Sequence, residues 1–579
     1  MHSLSRWPTV VSLIALGLMA GALFGTATAQ VGRGAGFASP GAGPALSVDV
    51  QSDQHPISPY IYGMNFAAES LAADLNLPVR RWGGNSTSRY NWQLNVHNTG
   101  SDWYYENIPA ASTGPLPDGS STNQFVEQDQ RTGAKTILTM PLIGWTPQRR
   151  LEDHPYDCGF NSDRYGTQQD ADWNWDPTCG NGVLSNGTKI TGNDPADTSV
   201  AITTTFVISW INHLKSRYDT AANGGVLFYS LDNEPMLWNS THRDVHPLPT
   251  TYDELRDKTT AYAAAIKQAD PSAKTLGPVL WGWCAYFFSA RDGCIAGPDY
   301  ASHGNTAFVP WYLQQMKAHE HAHGVRLVDY LDLHYYPQAD GVGLSGAGNA
   351  ATQALRLRST RSLWDPNYVD ESWIGDAGWE NGIVRLIPRM KEWVTANYTG
   401  TRLAITEYNW GALDHINGAL AQADVLGIFG REGLELAALW APPDTDQPGA
   451  YAFRLYRNYD GQHRTFGDVS VRATSADQSI VAIYAARRSS DNALTILVIN
   501  KSLTQTLTSS IALSHTDPIT RAAVYRYSAA NLNAIARQAD QVVTSGSFSA
   551  TLPAQSITLF VTPPDTPLDR QVFLPVILK

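Results

Sequence analysis

Eight short runs of β-prone residues, most of them followed by a stretch with helical periodicity, constrain this chain more than anything else in it. The runs fall at 60–65, 79–82, 136–140, 226–231, 275–279, 330–334, 403–406 and 436–440; the helical stretches fall at 201–218, 252–269, 311–321, 382–397 and 416–430. Strands that alternate with helices pair in parallel, and eight such strands close into a ring. The fold class expected is therefore α/β, a (β/α)8 TIM barrel. A doubly wound sheet alternates similarly but more often carries a Gly-rich phosphate turn after its first strand, and Gly63-Met64-Asn65 is not one. Further on, short alternating runs at 479–485, 493–499, 507–513, 522–527 and 556–561, separated by polar turns, read as a smaller antiparallel β-sandwich.

These patterns divide the chain. Residues 1–29 have a basic start, an apolar run and the small residues Ala27-Thr28-Ala29, the build of a cleaved secretory leader. Residues 30–44 are rich in Gly, Ala and Pro and read as a flexible linker. A strand within 45–57 has no place in the barrel count and is expected to join the sandwich. The barrel is assigned to 58–445, the sandwich to 446–561, and a Pro-rich apolar tail to 562–579, a candidate surface-attachment signal or a disordered end. Export makes the four cysteines candidates for disulfides, with Cys158–Cys179 and Cys284–Cys294 the pairing that closes short loops. The protein is expected outside the cell, as a monomer with no membrane span in the mature chain.

Charge narrows the partners. A net charge of −12 argues against nucleic acid, whose phosphates call for an excess of Lys and Arg. Eighteen Trp and 26 Tyr exceed what a core alone requires and supply flat faces on which sugar rings stack, although aromatics fill cores too.

Two of the strands run straight into a glutamate. Val226-Leu227-Phe228-Tyr229 leads to Leu231-Asp232-Asn233-Glu234-Pro235, and Leu403-Ala404-Ile405-Thr406 leads to Glu407-Tyr408-Asn409. By position these are the fourth and seventh strands, which face each other across a barrel mouth. Two facing carboxylates are the minimal machinery for cleaving a glycosidic bond, one as acid/base and one as nucleophile. Taken singly, Glu234 has a lesser alternative reading as a helix cap and Glu407 as half of a structural ion pair. Arg81, at the tip of the second strand, is placed to hold a carboxylate ionised. Asn233 offers an amide to a sugar hydroxyl, and His334 and Tyr336 leave the sixth strand toward the mouth. Asn85, Trp92, Trp145, Trp238, Tyr408 and Trp440 complete the candidate substrate contacts, with Trp440 as a floor beneath the sugar. His242 and His246 flank Asp244, but Pro247 and the lack of a Glu-flanked helix argue against zinc. The turn from Asp194 to Asp197 suits either calcium or a helix cap.

Taken together, several runs resemble glycoside hydrolase family 44, the retaining endo-β-glucanases and xyloglucanases. They are Arg81-Trp82-Gly83-Gly84-Asn85 with Tyr90-Asn91-Trp92, Gly100-Ser101-Asp102-Trp103, Leu231-Asp232-Asn233-Glu234-Pro235 with Leu237-Trp238, Asp332-Leu333-His334-Tyr335-Tyr336-Pro337, Leu363-Trp364-Asp365-Pro366, Thr406-Glu407-Tyr408-Asn409, and Leu455-Tyr456-Arg457-Asn458-Tyr459-Asp460-Gly461. The resemblance implies hydrolysis of a β-1,4-glucan by double displacement, with Glu234 as acid/base and Glu407 as nucleophile, and no cofactor for catalysis. It also implies a structural calcium at Asp194, Asp197 and the position of Gln93, where the family carries Glu. The segment holding Cys158 and Cys179 departs from the family pattern and is expected to reshape one end of the cleft. The alternatives are a non-catalytic polysaccharide-binding protein on the same scaffold, or a related barrel glycosidase acting on xylan or arabinofuranosides.

Overall fold

In the computed structural model, which describes residues 40–516 and 518–563, the β-prone runs close into a ring. The strands are β1 (Gly63–Asn65), β2 (Val79–Trp82), β3 (Lys135–Met140), β4 (Phe228–Leu231), β5 (Lys274–Leu280), β6 (Tyr330–Leu333), β7 (Arg402–Tyr408) and β8 (Leu436–Leu439). Each pairs in parallel with its sequence neighbours, and β8 returns to β1 through Ala438↔Gly63 and Leu439↔Met64. The eight-stranded ring expected from the sequence is the fold. Its first strand is shorter than expected, because Pro59 opens a 3₁₀ turn over Pro59–Tyr62 and Ser58 caps it by accepting the Tyr60 N–H. At Gly63 the neighbouring strands come so close that a Cβ would lie 2.5 Å from the Ala437 carbonyl and 2.6 Å from Val79 Cγ1.

Helices pack around the ring: α1 (Ser121–Thr132), α2 (Thr204–Tyr218), α3 (Tyr252–Ala269), α4 (Phe308–His323), α5 (Leu386–Asn397) and α6 (Ile416–Arg431). Helix α6 is buried along nearly its whole length, which explains its apolar circumference. Its Asp424 carboxylate receives the Lys501 ammonium (2.7 Å), the Tyr484 hydroxyl (2.8 Å) and the Thr360 hydroxyl (2.6 Å), a buried polar knot joining barrel and sandwich. Helix Pro448–Arg457, which falls in the stretch assigned to the sandwich, packs on α6 instead; the Tyr456 hydroxyl donates to the Ala423 carbonyl at 2.8 Å.

The sandwich strands are Val469–Ser475, Val481–Arg487, Leu494–Asn500, Leu507–Ser514, Arg521–Ser528, Asn531–Val542, Ser547–Leu552 and Ser556–Val561. Alternate residues of both layers, including Val48, Ile483, Ile496, Ile511, Phe548 and Phe560, meet in one buried cluster. The early strand Leu46–Asp49 lies antiparallel to Val469–Ser475 and parallel to Leu507–Ser514. Gly41 and Ala42, within the stretch read as a linker, also pair, with Leu507 and Thr508. The leader and all but two residues of the tail lie outside the described residues. Among the described residues, no helix is long and apolar enough to cross a membrane. Both expected disulfides form, Cys158–Cys179 and Cys284–Cys294.

Candidate active site

A strand that ends at a barrel mouth delivers its last inward side chain to solvent, and chain irregularities there re-aim it. Both glutamates sit at such irregularities. The pairing of β7 with β8 shifts register between Ile405 and Tyr408, beside Glu407. Glu234 follows β4 in the left-handed region, at φ 46° and ψ 54°, and Asp232 shares it at φ 73°. Neighbours hold this strained turn. The Glu234 N–H donates to the Val279 carbonyl at 3.0 Å, where β5 also shifts register, and the buried Asp232 carboxylate accepts the N–H groups of Leu142, Ile143 and Asn233.

The carboxylates converge. One oxygen of Glu234, one of Glu407 and a ring nitrogen of His334 all lie within 4.8 Å of one another. Glu407 is clamped from two sides: Arg81 Nη1 donates to Oε1 at 2.8 Å and the Tyr336 hydroxyl donates to Oε2 at 2.9 Å. The same guanidinium reaches Asn65 Oδ1 (3.0 Å) and, through Nη2, Asn233 Oδ1 (2.8 Å), so it also orients the residue next to Glu234. Gly83 makes room for it, since a Cβ there would lie 2.2 Å from Arg81 Cζ. His334 bridges the pair: Nδ1 is 2.9 Å from Glu234 Oε1 and 3.5 Å from Glu407 Oε2, and Nε2 is 3.1 Å from Thr406 Oγ1. The Thr406 hydroxyl donates to Asp332 Oδ2 at 2.7 Å, so its lone pair is left to accept Nε2–H.

This asymmetry separates the two acids. Burial, followed by the Glu407 charge, pushes the Glu234 carboxyl up despite its hydrogen bond to His334. Burial works in the same direction on Glu407, but the positive charges of His334 and Arg81 and the hydrogen bonds from Arg81 and Tyr336 override it and hold that carboxylate below its ordinary range. Burial opposes a charged His334, yet the two glutamates outweigh it and raise the ring's pKa. A proton is thus favoured on the Glu234–His334 side and disfavoured on Glu407. The spacing of the three groups would also suit a metal ion, but an arginine bonded directly to one carboxylate opposes a second cation there.

Asn85 joins the site from the loop after β2, its Oδ1 accepting from Asn233 Nδ2 at 3.1 Å. Trp440 is half-buried at the mouth, its ring lying over Gly84 and 6.5 Å from that of Phe66. Other expected aromatic contacts are placed elsewhere. Trp92 is buried against Phe206 and His213, and Trp238 against His246 and beneath Lys258. Tyr408 follows Glu407 on the strand and so points to the other side, where its hydroxyl accepts from Gln422 and its ring meets Phe429. Trp145 lies half-buried in a two-stranded ribbon with Ser199–Ala201 and packs on the main core. The residues that carry the network from below, Asn65, Asp232, Asp332 and Thr406, were not among the expected site residues.

The expected calcium ligands do not fit an ion as arranged. Asp197 is taken by the Arg164 guanidinium and the Tyr165 hydroxyl, Asp194 caps the 3₁₀ turn by accepting the Ala196 N–H, and Gln93 is exposed. The His242–Asp244–His246 run is likewise engaged, Asp244 with Arg89 at 2.6 Å and His246 with Glu254 at 2.7 Å.

The model of glycoside hydrolase family 44 matches residues 96–339. Endoglucanase A of Paenibacillus lautus is 33% identical over 531 residues, covering 88% of this chain and 71% of that protein. The chain belongs to glycoside hydrolase family 44. Among solved structures, CelM2, a bifunctional glucanase-xylanase protein from a metagenome library, superposes with a TM-score of 0.86 at 46% identity, covering 90% of this chain and 99% of that one. A Paenibacillus polymyxa xyloglucanase of family 44 gives 0.74 at 31% identity, with the same coverage of both chains.

Proposed function

We propose that this family 44 protein is an exported endo-acting hydrolase of β-1,4-linked glucans, cellulose-type or xyloglucan, that retains anomeric configuration. The observation that carries the reading is the close pair of unlike acids: oxygens of Glu234 and Glu407 lie within 4.8 Å, with Glu407 held below its ordinary pKa and Glu234 pushed above it. Retaining glycosidases place their carboxyls about 5–5.5 Å apart, near enough for direct attack on the sugar, whereas inverting enzymes leave room for water. Glu407 attacks the anomeric carbon as the glycosidic oxygen departs with the proton of Glu234. Glu234, then ionised, takes a proton from water, and the resulting hydroxide displaces Glu407 and frees the sugar. Arg81 and Tyr336 keep Glu407 ionised, and His334 positions the Glu234 proton. This chemistry uses no cofactor. The names of the relatives support the substrate class, and the two disulfides suit a protein that works outside the cell.

Substituting Glu407→Ala is expected to abolish turnover of carboxymethyl cellulose and xyloglucan. Added azide should restore part of it by supplying an α-linked adduct. Full activity in Glu407→Ala protein would remove the assignment. Comparing product profiles on the two polymers identifies the preferred glucan.

A further inference from the structure

The loop tied down by Cys158–Cys179 exposes two indole rings. Trp173 is 76% exposed and Trp175 45%, and each packs against Trp103, with ring centroids 5.6 and 5.5 Å away. Large rings in water are unusual unless they meet something. Their exposure is not looseness. The Asp172 carboxylate accepts the N–H groups of Asn174 (2.8 Å), Trp175 (3.1 Å) and Asp176 (2.9 Å), which fixes the turn that presents both rings.

The patch is continuous with the active site. Trp103 follows Asp102, whose carboxylate accepts from Asn85 Nδ2 at 3.0 Å; Asn85 in turn bonds Asn233, the neighbour of Glu234. A polymer held at Glu234 and leaving the mouth on this side passes Asp102 and meets the indoles next. Preorganised flat rings with a polar rim match the C–H faces and hydroxyls of a glucan; here the rim includes the Tyr104 hydroxyl, which donates to Asp170 at 3.0 Å. We propose that Trp173 and Trp175 form a distal platform on which sugar rings of the extended β-glucan chain stack, several units from the bond that is cut. The proposal rests on the glucanase reading above and locates one end of its cleft.

The test is calorimetric binding of cello-oligosaccharides of increasing length to Glu407→Ala protein, with and without Trp173→Ala and Trp175→Ala, alongside initial rates for the enzyme with Glu407 intact. Removing both rings should weaken binding of the longest oligomers by about tenfold, an effect that shrinks as the chain shortens, with Trp→Phe at both positions restoring most of it. Rates on polymer should fall in parallel. Equal losses at every chain length, or none at any, would overturn the platform. Length-dependent binding without hydrolysis by the Glu407-intact enzyme would leave the platform standing and defeat the glucanase reading. Failure to bind any oligomer would defeat both.

Discussion

The two ends of the barrel are filled by opposite chemistry. At the strand starts, Val79, Ile137, Phe228, Leu276, Tyr330, Ala404 and Leu436 form a sealed apolar cluster, with β1 contributing only Gly63 to that level. At the strand ends the interior holds Asn65, Arg81, Asp332, His334, Thr406 and Glu407, all buried and all polar or charged. Burial stabilises the first end directly; at the second it imposes a desolvation cost that pairing must offset. The same ring thus stores its stability below and its unlike acids above, and a substitution should reveal which end it touches.

Glu407→Gln should give the largest effect, a loss of turnover on the order of 10⁴-fold or more with the far-ultraviolet circular dichroism spectrum unchanged. Arg81→Lys comes next. It loses the fork that holds Glu407 and Asn233 together, so kcat should fall by roughly 10²–10³-fold. Because Arg81 helps keep Glu407's pKa down, weakening that contact raises it, and the acid limb of the pH–rate profile should move to higher pH. An unmoved acid limb would detach Arg81 from the charge state of Glu407. Phe228→Ala tests the other end. It should cost about 3–5 kcal/mol of stability in urea titrations while kcat of the folded enzyme changes little. A large kcat loss with full stability would blur the division between the ends.

The smallest effect concerns a carboxyl outside both ends. Glu106 is buried beside Asp172; burial first, then the hydrogen bond its protonated carboxyl donates to Asp172 and the Asp172 charge, push its pKa up to about 9 from an ordinary 4.5. A folded-state pKa above the unfolded value contributes stability that is complete below about pH 4.5 and lost as pH rises toward about 9. Glu106→Gln removes that dependence, so its melting temperature relative to the parent should climb by about a degree or two between neutral and alkaline pH. A constant difference across that range would show that Glu106 does not titrate as described.

Much of this was legible because strand ends carry position in sequence. Glu234, Glu407, Arg81, Asn233, His334 and Tyr336 each lie in or immediately after a β-prone run, so their convergence followed from counting strands. Helix α1 was missed because its sequence, Ser-Thr-Asn-Gln-Phe-Val-Glu-Gln-Asp-Gln-Arg-Thr, offers few apolar residues to set a period. The edge strand Asn531–Val542 was missed because its large apolar residues, Leu532, Ile535 and Val542, do not alternate with period two, and it pairs only with Arg521–Ser528 among the described strands. Trp92, Trp238 and Tyr408 illustrate another limit: an aromatic next to a functional motif reads the same whether its ring faces the cleft or the core. Asp332 and Thr406 orient His334 from within strands, where no local pattern distinguishes a positioning side chain from a packed one. Only the pairing of β6 with β7 brings them together.

Proton NMR of the first sugar released from a cello-oligosaccharide, recorded before mutarotation, tests the pairing of the two acids most directly. Direct capture by Glu407 followed by water from the same face predicts the β-anomer first. Initial release of the α-anomer would mean that water attacks in a single inverting step, and the close, unlike pair of carboxyls would need another explanation.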